Sequence, residues 1–331
     1  MSDIEHIKSL VDTAHKILII QADNPDADSL ASSLALEQIL HDLGKDPLLY
    51  CAVDMPAYLK YLPGWDRVNN TVPHDIDMSF IVDTSTMTLL EQLTKSGSIN
   101  YVSSKPVVVL DHHAESTSDI TFAAVTINDT GKVSTGEVIY ETATQLTWPV
   151  SITAAEHIAT SILADSLGLS TDNTTAQTYR VMASLIEAGV NRPKLEELRR
   201  SYNKMPLSIM RYKGALLERT EIHNDSMALL IIPQDEINEF SPLYNPAPLI
   251  QPDHLQTEGV RISIVLKSYN SGRITGAIRA NHDTPIASLL AKEFGGGGHV
   301  YAAGFKIENA VAATIRSQVI EKTRQLLADI G

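Results

Sequence analysis

The chain has 331 residues, a formal net charge of −14 and 44% hydrophobic residues. At roughly 150 residues per domain this length predicts about two domains, and the composition excludes a disordered, collagen-like or coiled-coil chain. The acidic balance argues against long duplex nucleic acid as a partner, because binding to it requires Lys and Arg to displace counterions from phosphates. Small phosphorylated ligands remain compatible with it, since a bound metal can supply positive charge.

The cysteine content and the lengths of the apolar runs indicate the cellular compartment of the protein. Cys51 is the single cysteine, so neither a disulfide framework nor a multi-cysteine zinc site can form, and its apolar surroundings predict a core residue. The first residues carry acids and lack the apolar centre of a secretory signal, and no run of ~18 apolar residues predicts a membrane span. We therefore expect a cytoplasmic protein with no membrane partner.

The first half of the chain alternates between short apolar runs and helical patterns. Apolar runs typical of buried parallel strands cover residues 17–21, 48–53, 78–82 and 106–110. Apolar positions spaced three and four residues apart predict helices over residues 28–43, 134–146, 151–164 and 174–188. This alternation predicts an α/β domain with a parallel sheet and helices on both faces.

The pattern changes after residue 189. Residues 193–217 are typical of a helix broken at Pro206, which we interpret as a connector. Strand patterns follow at residues 227–232, 260–267 and 273–279; we expect them to be antiparallel, the last two joined by a hairpin. Helices are predicted at 284–294 and 310–329, and the four prolines of segment 241–257 predict a loop.

Acidic residues and histidines follow several of the predicted strands directly. They are Asp26 and Asp28 after the first strand, Asp83 after the third, and Asp111, His112 and His113 after the fourth. A further acid, Asp165, ends a predicted helix. Because ligands of open α/β sheets bind at the carboxyl ends of the strands, we expect these side chains to meet at one solvent-facing edge. Several carboxylates with one or two imidazoles suit Mn²⁺ or Mg²⁺.

Each of these residues also has an ordinary structural explanation. An Asp after a strand is often the N-cap of a helix, and Asp28 with Ser29 could cap the helix over residues 28–43. A pair of histidines is more often an accident of surface or core than a pair of ligands. Four such groups at sheet-edge positions in one sequence nevertheless favour a common site over four coincidences.

These motifs resemble the DHH phosphoesterase superfamily, in particular its oligoribonuclease/pAp-phosphatase (nanoRNase) branch. The family carries an Asp-x-Asp loop, a later Asp, an Asp-His-His triplet and a fourth Asp, in the order found here. Glycines 295–298 followed by His299, and then residues 302–304, resemble the signature of the DHH-associated substrate domain. A glycine run also lets consecutive N–H groups cradle an anion, although a flexible turn would have the same composition.

The resemblance assigns a role to each group. It implies metal ligation by Asp26, Asp28, Asp83, His112 and Asp165. It implies that His113 is catalytic and that Asp111 orients the histidine pair. It implies substrate binding by Arg279, Gly296, Gly297, Gly298 and His299. The corresponding division of the chain is a DHH catalytic domain over 1–187, a helical linker over 188–215 and a smaller α/β substrate-binding domain over 216–331.

One position departs from the family's motif. The family has a metal-ligating histidine four residues before the first Asp, where this chain has Ala22. We therefore expect two metal sites of unequal strength, the weaker one being held by Asp26 and Asp83. Candidates for a substitute ligand are Gln21, Asp23 and His157.

We therefore predict a metal-dependent phosphodiesterase or phosphatase, with Mn²⁺ or alternatively Mg²⁺ as cofactor. Its substrates would be short nucleotides, such as linear dinucleotides, nanoRNA or 3′-phosphoadenosine 5′-phosphate (pAp), hydrolysed to mononucleotides. One alternative is a nucleotide-binding or regulatory protein with impaired catalysis, suggested by Ala22. Another is a pyrophosphatase with a similar acidic loop, against which the glycine-rich motif argues. The sequence leaves a homodimer open.

Overall fold

The computed structural model describes residues 2–113, 118–202, 204–241 and 245–330. The chain forms two units, Met1–Lys204 and Met205–Gly331, and each unit has its own sheet. Residues 188–215, predicted to be a linker, contain a helix of the first unit and most of the first helix of the second.

A parallel sheet with the strand order β2-β1-β3-β4-β5 forms the centre of the first unit. Its strands are β1 (Lys16–Ile20), β2 (Asp46–Tyr50), β3 (Met78–Val82), β4 (Val107–Asp111) and β5 (Val125–Asn128). The prediction of a parallel sheet is confirmed, and β5 adds a strand that the sequence pattern did not indicate. Cys51 is fully buried beyond the end of β2, as predicted.

Helices cover both faces of this sheet, because side chains alternate between the faces along each strand. Ile17 and Ile19 pack in one core with α2, α5 and α6, whereas Leu18 and Ile20 pack in another with α3 and α4. The helices are α1 (Asp3–Thr13), α2 (Ala27–Asp42), α3 (Glu91–Lys95), α4 (Ser98–Val102), α5 (Thr135–Gln145), α6 (Ile152–Asp165), α7 (Ala176–Glu187) and α8 (Arg192–Tyr202). Short 3₁₀ helices span Ala57–Leu59, Trp65–Arg67 and Met87–Leu90.

A mixed sheet with the order β10-β11-β9-β8-β7-β6 forms the second unit. Its strands are β6 (Glu221–His223), β7 (Met227–Pro233), β8 (Ile262–Ser268), β9 (Ile274–Ala280), β10 (Gly297–His299) and β11 (Ala302–Ile307). Its helices are α9 (Leu207–Glu218), α10 (Gln234–Phe240), α11 (Pro246–Leu255), α12 (Ala287–Glu293) and α13 (Ala312–Ile330). The hairpin of β8 and β9 is confirmed, and with it the prediction of a smaller α/β unit.

Two predictions for the second unit are wrong, and they have one cause. The segment 241–257 is not a loop, because helix α11 occupies Pro246–Leu255; residues 242–244 lie outside the described residues. Strands β7 and β8 are parallel rather than antiparallel. Parallel neighbours need a crossover connection, and α10 with α11 provides it.

Among the described residues, no helix is both long enough and apolar enough to cross a membrane.

Candidate active site

The strand order of the first unit places the candidate site. The chain adds β2 on one side of β1 and then β3 on the other side. The connections that follow β1 and β3 therefore cover opposite faces of the sheet and leave a crevice at the carboxyl ends of these two strands. Asp26 and Asp28 follow β1, and Asp83 follows β3. The next strand, β4, ends at Asp111 and is followed by His112. Sheet topology therefore brings together residues that are far apart in the sequence.

Asp28 lies in the first turn of α2 with 1% of its surface exposed. Its Oδ1 accepts a hydrogen bond of 2.5 Å from the Ser161 hydroxyl on α6, and its Oδ2 accepts one of 2.8 Å from the Thr135 backbone N–H at the start of α5. Three helices therefore meet at this carboxylate. Burial, followed by the charge of Asp165, raises the pKa of Asp28 above its ordinary value.

Asp83 comes directly after β3 in a left-handed backbone conformation, with φ of 62°. It is 6% exposed, so the prediction of a solvent-facing position is wrong. Its Oδ1 accepts a hydrogen bond of 2.8 Å from the Thr135 hydroxyl. Burial raises the pKa of Asp83 well above its ordinary value, and the neighbouring charges of Asp28 and Asp26 add to this effect.

The imidazole of His112 lies among three carboxylates. Its Nε2 is 3.3 Å from Asp165 Oδ2, 3.4 Å from Asp28 Oδ2 and 3.7 Å from Asp83 Oδ1. Its other nitrogen, Nδ1, is 3.3 Å from the carbonyl oxygen of Lys132. Burial alone would lower the pKa of His112, but the surrounding carboxylates raise it to about 9.

This donor set fits a divalent cation. A carbonyl oxygen can only accept, so the contact with Lys132 favours a proton on Nδ1, and loss of the proton from Nε2 to make way for a cation would leave its lone pair directed at the carboxylates. Nε2 is buried and, among the described residues, has no hydrogen-bond partner. Two groups could each hold an ion: Asp28, His112 and Asp165, and also Asp83, His112 and His113. Carboxylate oxygens with an imidazole nitrogen suit Mn²⁺ and Mg²⁺.

Asp111 holds the second histidine of the pair. Its fully buried carboxylate accepts hydrogen bonds through Oδ1 from the backbone N–H of His112, at 2.9 Å, and from Nδ1 of His113, at 2.8 Å. Burial alone would raise the pKa of Asp111, but hydrogen bonds from His113 and Ser85 hold it below its ordinary value. Because Nδ1 of His113 donates to Asp111, its Nε2 is left free, and the side chain is 49% exposed. His113 can therefore reach a ligand.

Asp26 lies at the edge of the cluster. Its side chain caps α2 by accepting a hydrogen bond of 3.0 Å from the Ser29 backbone N–H, which is the ordinary structural role of an Asp at this position. It belongs to neither of the two candidate ligand groups among the described residues. Its charge nevertheless contributes to the raised pKa of Asp83, so it faces the same site.

The three substitute ligands considered for Ala22 differ in their surroundings. Asp23 Oδ2 already accepts a hydrogen bond of 2.8 Å from the Gln92 backbone N–H. His157 is buried near Arg67, whose charge helps to lower its pKa, and it joins neither candidate ligand group. Gln21 is 1% exposed, and both polar atoms of its amide lack a partner within the described part of the chain. Gln21 is therefore the one of the three whose side-chain polar atoms are both fully buried without a partner among the described residues.

Sequence reasoning missed the hydroxyl groups of the site. Thr135 and Ser161 hold Asp28 and Asp83, as described above. A cavity of about 250 Å³ beside Asp111 and His113 is also lined by Thr84, Ser85, Thr86 and Thr88. A hydroxyl residue at a helix start or after a strand is too common to carry a signal, although the unbroken run of Ser and Thr at 84–86 directly after Asp83 could have been noted.

The second unit contains a cavity of about 300 Å³ at the predicted substrate-binding residues. Arg279 on β9 lines it together with Gly297 and Gly298, and α11 contributes Gln251. The register explains the grouping, since Arg279 lies opposite Ala302 and Gly298 lies opposite Ala303 on β11. Arg279 is exposed and forms no ion pair with the described residues.

Two predicted substrate-binding residues lie outside the lining of this cavity. Gly296 packs so closely against β11 that a Cβ at this position would lie 2.2 Å from the carbonyl oxygen of Gly304. Only glycine fits there, because any side chain would push the strands apart. His299 ends β10 with an exposed side chain.

The fold and the site together define a class of protein. Residues 16–167 match the DHH family, N-terminal domain. The match covers most of the first unit, and members of this family are phosphoesterase hydrolases. Phosphoesterases of this family depend on metal ions, in agreement with the candidate ligand groups.

Individual relatives cover nearly the whole chain. The bifunctional oligoribonuclease and PAP phosphatase NrnA of Thermus thermophilus is 26% identical over 93% of this chain and 89% of its own. The Bacillus subtilis protein of the same name is 22% identical over 90% of each chain. The crystal structure of an exopolyphosphatase-related protein from Bacteroides fragilis has the same fold, with a TM-score of 0.82, 22% identity and coverage of 98% of this chain and 97% of that one.

Proposed function

We propose that this protein hydrolyses phosphoester bonds of short nucleotides, namely linear dinucleotides, nanoRNA or pAp, to mononucleotides. The observation that carries the proposal is the imidazole of His112, which has three carboxylates within 3.7 Å of Nε2 and stands in a DHH-family domain. The names of the relatives from Thermus thermophilus and Bacillus subtilis support the substrate class.

The metal-binding roles follow from the donor atoms. Asp28, Asp83, His112 and Asp165 would hold one Mn²⁺ or Mg²⁺, and Asp26 with Asp83 would hold a second, weaker one. A bound divalent cation lowers the pKa of a water molecule and neutralises charge on a phosphate. Ser161 and Thr135 keep the carboxylate of Asp28 in a fixed orientation, because each of its oxygens accepts one hydrogen bond.

His113 would act on the substrate itself. Asp111 fixes the ring through Nδ1, so Nε2 points away from the carboxylate, and in the imidazolium form this nitrogen can donate a hydrogen bond to a phosphate oxygen. In its protonated form the same nitrogen can give a proton to the leaving oxygen. The hydrogen bond to Asp111 raises the pKa of His113 above its ordinary value, which favours the protonated form near neutral pH.

The second unit would bind the remainder of the substrate. Arg279 presents a guanidinium group with no carboxylate partner in the described structure, and two planar N–H donors match a phosphate. The backbone N–H groups around Gly297 and Gly298 add further donors in the same cavity. His299 and Gly296 would support this loop from outside the cavity.

A second function is favoured by Ala22. The side chain at this position cannot ligate a metal, which would weaken the site at Asp26 and Asp83. The protein would then bind nucleotides with little turnover and serve a regulatory purpose.

One experiment separates these functions. The purified chain is incubated with pAp, pApA, pGpG and RNAs of three to five nucleotides, with Mn²⁺ or Mg²⁺, and mononucleotide release is measured. Asp83→Asn serves as the control for activity that depends on the site, and inorganic pyrophosphate as the control for a different hydrolase. We expect turnover of at least one nucleotide that is lost in the control variant. Tight binding of a nucleotide with no turnover of any of them would contradict the hydrolase function and support the regulatory one.

A further inference from the structure

We propose that the first unit binds a phosphorylated nucleotide in a second cavity, distinct from the candidate metal centre. This arginine cavity has a volume of about 450 Å³. The residues that define it are Tyr61, Leu167, Arg192, Leu195, Arg199 and Arg200.

Positive charge dominates the arginine cavity although the chain carries a net charge of −14. Three guanidinium groups face one carboxylate, that of Glu196. Glu196 accepts two hydrogen bonds from Arg199, at 2.9 and 2.8 Å, and one of 2.7 Å from Arg200 Nε. Two positive charges therefore remain uncompensated, and an anion would balance them.

Arg192 is the guanidinium most available to a ligand. It forms no ion pair with any residue in the described ranges. Its Nη2 lies 3.9 Å from the position that a Cβ on Gly168 would occupy, so the group rests over the backbone turn after α6. An unpaired guanidinium beside a cavity is suited to two-point binding of a phosphate.

Tyr61 adds a hydroxyl group to the lining of the arginine cavity. The side chain is 6% exposed and lines the arginine cavity. Its hydroxyl forms no hydrogen bond with the described residues and is not among the fully buried polar atoms, so it is open to a ligand in the cavity. A phosphate or ribose oxygen in the cavity would satisfy it.

The leucines indicate a nucleotide rather than inorganic phosphate. Leu167 is 75% exposed and has a φ of 48°, a conformation that costs energy for a residue with a branched side chain. The turn therefore holds an apolar side chain in solvent next to the guanidinium groups. Leu195 on α8 adds a second apolar surface. A nucleobase can cover these leucines while its phosphate meets the arginines.

The arginine cavity adjoins the candidate metal centre along the chain. Its lining residues Ala164 and Leu167 flank Asp165, whose carboxylate contacts His112. The ligand could be the distal nucleotide of a longer substrate, a source that rests on the proposed function, or a free mononucleotide. Both sources share the same chemistry, a base with a phosphate.

Direct binding tests the proposal without hydrolysis. The full chain in EDTA is titrated with pentaadenylate carrying a 3′ fluorophore, followed by anisotropy, and with AMP, followed by calorimetry. The variants are Arg192→Glu and Arg200→Glu. The matched control is Arg180→Glu, the same charge change at an exposed position of α7. Equal melting temperatures establish that the variants fold.

We expect both cavity variants to raise the Kd for pentaadenylate at least tenfold, and the control to leave it unchanged. The same sensitivity of AMP binding identifies a free mononucleotide as the ligand, and sensitivity confined to pentaadenylate identifies the distal part of a substrate. Equal affinities in all four proteins, or no binding at all, overturn the proposal.

Hydrolysis of pApA with Mn²⁺ distinguishes this proposal from the proposed function. We expect the cavity variants to retain it, since neither Arg192 nor Arg200 belongs to a candidate ligand group of the metal centre. If the cavity variants weaken nucleotide binding but the wild-type protein does not hydrolyse pApA, the proposed function alone is contradicted. If the protein hydrolyses pApA but the cavity variants leave nucleotide binding unchanged, this inference alone is contradicted.

Discussion

Asp83 is buried beside other carboxylates and is also placed to ligate a cation. Its carboxylate is buried beside Asp28 and Asp26, which is unfavourable for the folded chain without metal. The same carboxylate lies 3.7 Å from His112 Nε2, where it can ligate a cation. Its left-handed backbone, with φ of 62°, is one that Asn tolerates nearly as well as Asp.

Asp83→Asn should therefore separate function from stability. We expect kcat/KM to fall by about 10²- to 10³-fold, because one charged ligand is lost at the reacting centre. We expect the melting temperature of the metal-free protein to rise by about 2–4 °C, because removal of a buried charge relieves roughly 1 kcal/mol of repulsion. Steady-state kinetics and calorimetry in EDTA measure the two effects. Activity close to that of the wild type would falsify the ligand assignment.

Ala22 is the second position at which a single side chain determines how tightly a metal ion binds. It is buried, and its carbonyl oxygen accepts a hydrogen bond from the Cys51 thiol at 3.3 Å. Ala22→His should lower the Mn²⁺ concentration that gives half-maximal activity about tenfold, because the weaker site gains a nitrogen ligand. Ala22→Leu adds similar bulk without a nitrogen and should not do so. The same activation by Leu would assign the effect to packing.

At the scale of elements, helix α6 supplies polar residues both to the candidate site and to the interior of the first unit. It supplies Ser161 to Asp28 and ends at Asp165, and two turns earlier it buries His157. Burial lowers the pKa of His157 from 6.5 to about 4, and the charge of Arg67 acts in the same direction. This histidine belongs to the packing of the helix and not to the candidate site.

His157 predicts a pH dependence of stability. The unfolded chain takes up a proton near pH 6.5 but the folded chain only near pH 4, so the unfolded state binds more protons between these values. The free energy of unfolding should fall as the pH is lowered through this window, by about 3 kcal/mol in total. His157→Leu should flatten that part of the curve in urea titrations at several pH values. His41→Leu, at an exposed histidine, should leave it unchanged.

Helix α11 shows why one element escaped prediction. Pro246 and Pro248 lie in its first turn, where backbone N–H groups have no partner within the helix and proline is tolerated. Pro252 lies inside the helix and costs about 3 kcal/mol in isolation. Burial of Leu249 and Ile250 against the sheet offsets this cost. Local composition predicts a loop, and only the sheet beneath supplies the opposing contribution.

At the scale of the whole molecule, the sequence predicted the elements better than their arrangement. The strands that position Asp28, Asp83 and His112 were predictable, because short apolar runs bounded by polar residues leave few alternatives. The hydroxyls of Thr135 and Ser161 were not, because their role exists only once three helices meet. The parallel pairing of β7 and β8 was likewise invisible while its crossover helix was taken for a loop.

The second unit should contribute to substrate affinity. Arg279→Ala should raise KM for pApA about 10- to 100-fold, corresponding to the roughly 1.5–3 kcal/mol of a charge-assisted hydrogen bond. Bound metal should stay unchanged, because Arg279 lies in the other unit. Arg324→Ala, at an exposed arginine of α13 that pairs with Glu321, is the control. Identical KM values in both variants would remove Arg279 from the substrate site.

The crowding of buried carboxylates around His112 also has a consequence for the life of the protein in a cell. A cation that binds the folded chain alone adds to its free energy of unfolding by mass action. Degradation by proteases acts on the fraction of molecules that is unfolded, and that fraction changes severalfold with 1–2 kcal/mol. A shortage of divalent cations would therefore reduce the number of molecules as well as the turnover of each, and abundance would follow the metal supply.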